Sequence, residues 1–90
     1  MNLKKIIVYE FEILFQILKE HKEKFDLDLI QADDKNINEK INELSKEYLI
    51  ISKFELENYK GHLVLDNLPI KFEKLIQLIN LKFLKEIFNS

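Results

Sequence analysis

The stretch GHLVLDNLPIKFEKLIQLI, residues 61–79, sets a short apolar run and a single proline before a strongly apolar helical pattern. Residues 62–65 have the composition of a buried strand. Pro69 restricts Leu68 to an extended conformation and suits the first turn of a helix. The stretch therefore predicts a strand, a turn and a final helix, and Gly61 is suited to end an earlier helix.

The same alternation of strand and helix continues upstream. Three more segments have the apolar or alternating pattern of strands: residues 3–9, 25–30 and 48–52. Strands separated by helical segments imply a parallel sheet with right-handed crossovers. The sequence predicts one domain, residues 1–90, with an α/β three-layer fold of about four parallel strands and helices on both faces.

The helices between these strands have their own signals. An amphipathic pattern predicts a first helix from Phe11 to near residue 24. Asn36 can cap a second helix, with Glu39 three residues on. Ser52 and Glu55 have the spacing of a capping box, which predicts a short helix that ends at residue 61.

Composition removes several classes of function. The chain has no cysteine and two isolated histidines, which argues against disulfide, thiol and zinc chemistry, and we expect no cofactor. The net charge is −2 and all basic residues are lysine, so direct nucleic-acid binding is not expected. No apolar run reaches the ~20 residues of a membrane span, and a cytoplasmic protein without membrane contact is predicted.

Polar side chains follow the predicted strands, and in a parallel sheet they would meet at one edge. Glu10, Asp33 and Asp34 are candidate Mg²⁺ ligands there, with Ser52 near a bound phosphoryl group. The alternative is that the aspartates are solvated turn residues, that Ser52 caps a helix and that Glu10 begins the first helix.

Two segments resemble the receiver domains of bacterial response regulators, which are flavodoxin-like. IIVYEFEILFQIL, residues 6–18, looks like their first strand and helix, which normally carry an acidic pair. Residues 49–79 look like their last two strands and final helix. Ser52 matches the small hydroxyl residue that ends their penultimate strand. LPIKFEKLIQLI, residues 68–79 with Pro69 in second place, matches the Lys-Pro-Phe segment that opens their final helix.

The chain departs from the receiver pattern at the residues that carry phosphoryl transfer. Tyr9 replaces the first acid of the pair, leaving Glu10 alone, and Leu68 stands in place of the lysine. The unit that would carry the phosphorylated aspartate is missing. The resemblance thus implies a degenerate, non-catalytic pseudo-receiver, the N-terminal part of an OmpR-like transcription factor, with a possible winged-helix DNA-binding domain downstream. The open alternative is a small-ligand or Mg²⁺-dependent phosphoryl-binding protein.

The final helix carries two apolar stripes. One stripe is predicted to cover the sheet: Phe72, Leu75, Ile76, Ile79, Phe83 and Ile87. Leu81, Leu84 and Phe88 lie on the opposite side, and we predict that they form the contact surface of a homodimer. Ile13 and Ile17 of the first helix are predicted to be core residues.

Overall fold

In a computed structural model of the chain, residues 4–44, 47–56, 61–66 and 70–87 are described, and they form an α/β fold around one parallel sheet. The strands are β1 (Lys4–Tyr9), β2 (Leu27–Ala32), β3 (Tyr48–Ser52) and β4 (His62–Val64). They lie in the order β2-β1-β3-β4, and each neighbouring pair is parallel. The predicted fold class, a shortened flavodoxin-like fold, is confirmed.

In the described ranges, three helices cover the two faces of the sheet. They are α1 (Glu12–Lys19), α2 (Ile37–Glu43) and α3 (Phe72–Lys82), and a π-helical turn, Phe83–Ile87, continues α3. α1 and α3 pack on one face and share a single apolar core with the sheet, whereas α2 covers the opposite face. The helices therefore lie on both faces, as predicted.

Alternation along the central strands divides the core into two layers. Ile6 and Val8 of β1 point to the α1/α3 side, with Leu49 and Ile51 of β3. Ile7 of β1 points with Ile50 of β3 to the α2 side. Because all of these side chains are fully buried, each stabilises the fold by about 1.5–3 kcal/mol relative to an exposed side chain.

Gly61 directly precedes β4 and lies against the end of the final helical segment. Its φ is +65°, and a Cβ at this position would lie 3.0 Å from the carbonyl oxygen of Tyr48 and 3.2 Å from Cγ1 of Ile87. A side chain here would be strained in the left-handed region and would press on the neighbouring backbone. The glycine therefore permits the close approach of Ile87 to the strand.

The first helix is shorter than predicted. α1 ends at Lys19, and hydrogen-bonded turns occupy the chain from there to β2. The His21 amide donates to the carbonyl of Leu18, three residues back, and Asp26 adopts a left-handed φ of 56°. Since a strand cannot include that conformation, β2 begins at Leu27 rather than at residue 25.

Two more helix predictions are wrong at their starts. The four residues that follow Ser52 are not helical, because the serine hydroxyl donates to the carbonyl of Phe54 and does not cap a helix. The rest of that predicted helix, residues 57–60, lies outside the described residues. α3 begins at Phe72, and the two residues before it are extended or irregular, so the predicted start at Pro69 is too early. Pro69 itself and Leu68 lie outside the described residues.

None of the helices in the described ranges has both the length and the apolar character needed to cross a membrane.

Candidate functional site

The C-terminal ends of β1, β2 and β3 enclose an open crevice of about 630 Å³. Glu10, Asp33 and Lys53 line it, one from the end of each strand. Glu10 is exposed and has a left-handed φ of 47° at the end of β1, and the Lys53 ammonium lies 5.0 Å from the ring centre of Phe11. The structure thus brings two of the predicted polar residues, Glu10 and Asp33, to one crevice.

The Asp33 side chain holds the loop that leads into α2. Its Oδ1 accepts hydrogen bonds from the amides of Lys35 and Asn36, at 2.9 and 3.0 Å. In return, Oδ1 of Asn36 accepts from the Asp33 amide at 2.8 Å. Asn36 therefore closes the loop with its side chain instead of capping α2 as predicted. Asp33 has the role of a turn residue, which was the alternative to its role as a Mg²⁺ ligand. Asp34 is exposed and does not line the crevice.

Ser52 is fully buried at the end of β3 and pairs with His62 of β4. The Ser52 Oγ and His62 Nε2 atoms lie 2.7 Å apart, and the hydroxyl donates to the Phe54 carbonyl. The Leu56 amide donates to His62 Nδ1 at 3.4 Å. These roles require a neutral imidazole with its proton on Nε2, and the Nε2–H group donates a hydrogen bond to the Ser52 Oγ atom. The pair therefore ties the segment after β3 to the edge strand.

Burial lowers the pKa of His62 below its ordinary value of 6.5. The Glu55 carboxylate acts in the opposite direction, and the Lys82 ammonium lowers the pKa further. A neutral imidazole matches the hydrogen bonds around it, because protonated Nδ1 would face the Leu56 amide as a second donor. His62 is thus a structural residue of this network.

This pair was missed in the sequence because ten residues separate its members and no motif joins them. The register of the parallel strands brings them together, since Ile50 is opposite His62 and Ser52 is opposite Val64. Ser52 and His62 therefore point to the same face of the sheet, diagonally across neighbouring strands. A predicted order of strands would have been needed to find the contact.

Within the described residues, no group of three or more histidine, aspartate or glutamate side chains is placed to hold a metal ion. Ser52 does not line the crevice, and its hydroxyl is hydrogen-bonded to His62 and to the carbonyl of Phe54. The crevice is therefore lined by carboxylates and one ammonium group, and the described side chains do not converge on one point as metal ligands do.

The outer side of the α1/α3 layer exposes four large hydrophobic side chains among the described residues. Leu81 and Leu84 are 47% and 55% exposed, as the helical pattern predicts; Phe88 lies outside the described residues. Ile13 is 71% and Ile17 is 42% exposed, so the prediction that they are core residues is wrong. They lie on the flank of α1 that α3 leaves open, whereas Leu14 and Leu18 fill the core.

No protein-family model, curated protein or solved structure matches this chain. The class is therefore defined by the fold alone: a small parallel α/β protein with a polar strand-end crevice and an apolar outer helix layer.

Proposed function

We propose that the chain is a non-catalytic, receiver-like interaction domain that forms homodimers through the outer side of its final helix. The observation that carries this proposal is the half exposure of Leu81 and Leu84. Contiguous apolar surface is a common mark of a protein interface, and a closed twofold dimer is the commonest homo-oligomer.

The physical incentive for association is the removal of these side chains from water. Apolar area that becomes buried contributes about 25 cal/mol per Å², although only the surplus over the cost of association appears as affinity. Phe88 belongs to the same predicted contact surface. An association that is weak in dilute solution and complete at high concentration is consistent with such a patch.

The regulatory part of the proposal comes from the resemblance to receiver domains. The parallel flavodoxin-like order of strands supports it, with Tyr9 and Glu10 at the end of β1 and Ser52 at the end of β3. The domain would position a DNA-binding output located downstream, by protein contact and without phosphorylation, in the cytoplasm. It would neither bind nucleic acid itself nor contact a membrane.

Light scattering during size-exclusion chromatography tests the proposed contact. Leu84→Glu places a charge in the apolar surface and should convert the dimer to the 10.9 kDa monomer at equal loading. Phe54→Glu is the matched control, because Phe54 is 51% exposed and packs edge-on against Tyr9, on the α2 side of the sheet. A dimer that survives Leu84→Glu, or that Phe54→Glu removes equally well, contradicts the proposal.

A second candidate function, binding of Mg²⁺ or a phosphoryl group, is favoured by one observation: Glu10 and Asp33 line the same crevice as Lys53. Carboxylates could hold the cation and the ammonium could face an anion. The test is calorimetric titration with Mg²⁺, alone and with inorganic phosphate. Heat that saturates in the unmodified chain and disappears in Glu10→Gln supports the site, and an absence of heat in both rejects it.

A further inference from the structure

His62 makes two hydrogen bonds that respond differently when the ring gains a proton. Its Nε2–H group donates to the Ser52 Oγ atom across 2.7 Å, and a protonated ring can still make that bond. Its Nδ1 atom instead accepts from the Leu56 amide at 3.4 Å. A proton on Nδ1 would set two donors against each other, so protonation breaks the contact with Leu56 and keeps the contact with Ser52.

The contact with Leu56 determines where the end of the segment after β3 lies. Leu56 is partly buried and packs against the apolar core on the α2 side of the sheet. The three residues between Ser52 and Leu56 are exposed and have no regular structure. The Ser52 hydroxyl fixes the beginning of this stretch by donating to the Phe54 carbonyl, whatever the charge of the ring. The bond from the Leu56 amide to His62 ties the far end of the stretch to β4.

Glu55 supplies an alternative partner for a charged ring. It directly precedes Leu56, it is exposed, and its carboxylate acts electrostatically on His62. β4 packs against β3 and α3: α3 contributes the Lys82 ammonium, which opposes a positive ring, and β3 carries a phenol, Tyr48, and no charged residue. A hydrogen bond between two charged groups is roughly twice as strong as one between neutral groups. A protonated Nδ1 therefore favours the neighbouring carboxylate.

We propose that His62 is a pH-sensitive switch that exchanges the partner of its Nδ1 atom. In the neutral form Nδ1 accepts from the Leu56 amide, and the leucine side chain stays on the core. In the protonated form Nδ1–H donates to the Glu55 carboxylate, and Leu56 withdraws from the core. Ser52 stays bound in both forms, so the movement begins after Phe54. This switch lies on the α2 side of the sheet and does not rest on the proposed homodimer.

Nuclear magnetic resonance of the full chain from pH 8 to pH 5 tests the switch. The imidazole carbon shifts follow the protonation of His62. Solvent exchange of the Leu56 amide, expressed as a protection factor to correct for pH, follows its hydrogen bond. Because burial lowers the pKa of His62, the change should lie below pH 6.5. The protection factor should fall about two- to tenfold, as for the loss of one hydrogen bond, with the same midpoint as the imidazole shifts.

Charge variants test the alternative partner. Glu55→Gln should move both midpoints to lower pH, because it removes the carboxylate that favours the charged ring. Lys82→Gln should move them to higher pH, because it removes the opposing ammonium. His62→Gln cannot titrate and should keep the protection of Leu56 constant over this range. His21→Gln is the matched control and should leave the change at Leu56 intact.

The contrary outcomes are distinct. If His62 takes up a proton while the protection factor of Leu56 stays constant, or if the ring stays neutral down to pH 5, the switch is overturned. An equal fall in protection in the His62→Gln variant would assign the change to other groups. Midpoints that do not move in Glu55→Gln would reject Glu55 as the partner of the charged ring. Each of these results is independent of whether the chain forms a dimer.

Discussion

The C-terminal edge of the sheet and the outer side of the α1/α3 layer use their side chains in opposite ways. At the edge, polar groups bind their own chain: Asp33 holds the turn before α2, and Ser52 and His62 hold the segment after β3. On the outer layer, Leu81, Leu84 and Ile13 are 47%, 55% and 71% exposed.

The difference decides which of the two surfaces is the better candidate for contact with another molecule. A polar group that is already hydrogen-bonded within its chain has less capacity to bind a ligand, because each new contact must replace an existing one. An exposed apolar side chain gains free energy from any contact that removes water. The helix layer is therefore the stronger candidate for a contact surface, although the strand-end crevice has the position typical of ligand sites in parallel sheets.

The largest expected effect distinguishes the two sides of the final helical segment. Phe83→Ala removes a side chain that is 1% exposed and should lower the free energy of unfolding by about 3–5 kcal/mol, enough to unfold much of a domain this small. Leu84→Ala, at the next position, should change it by less than about 0.5 kcal/mol in the monomer. Urea unfolding at a low protein concentration measures both, and equal losses would contradict the assignment of a core side and an outer side.

Ser52→Ala tests the role of the hydrogen-bonded pair of Ser52 and His62. It leaves the Nε2 proton of His62 without the Ser52 acceptor and frees the Phe54 carbonyl, so we expect a loss of about 1–3 kcal/mol. Ser52→Thr keeps a hydroxyl and serves as the comparison for the hydrogen bond, apart from the volume of its added methyl group. A fully stable alanine variant would show that the pair does not hold the strand edge together.

Adjacent aspartates provide a matched comparison in the strand-end loop. Asp33→Asn weakens the acceptor of two amides, and Asp33→Ala removes it at a cost of about 0.5–2 kcal/mol, similar to the loss of a helix cap. Asp34→Ala, at an exposed neighbouring position, should be neutral within about 0.5 kcal/mol. Thermal unfolding of both alanine variants checks the assignment, and a larger loss at Asp34 would reverse it.

The smallest effect concerns pH. Because burial lowers the pKa of His62, the unfolded chain binds more protons than the folded chain as pH falls through 6.5 and below. The contribution of His62 to stability is complete above that pH and decreases below it. Melting temperatures from pH 8 to pH 5 should show this decrease and should lose part of it in His62→Gln. The His21→Gln variant should keep the full decrease in melting temperature. If that variant loses part of the decrease and His62→Gln does not, His62 is not the source of the effect.

The sequence was most informative where structure depends on local patterns. Apolar β-branched runs located β1 and β3, and helical spacing separated Phe83 and Ile87, which are buried, from Leu81 and Leu84, which are exposed. These features follow from periodicity, which is a property of neighbouring residues.

The predictions were wrong where contacts between segments distant in the sequence determine the local structure. The aromatic contact of His21 with Phe72 accompanies the early end of α1, and the partnership of Ser52 with His62 replaces the predicted helix cap. Ile13 is exposed because the position of α3 leaves that flank of α1 open. None of these contacts leaves a local signal in the sequence, since each depends on how the elements are placed in the sheet and its layers.

Sedimentation equilibrium of the unmodified chain, from micromolar to millimolar concentration, is the direct test of the proposed homodimer. The average mass should rise from 10.9 kDa toward twice that value and stop there, because a twofold contact closes after two copies. A mass that stays at 10.9 kDa throughout would contradict the claim that the outer helix layer joins two copies of this protein.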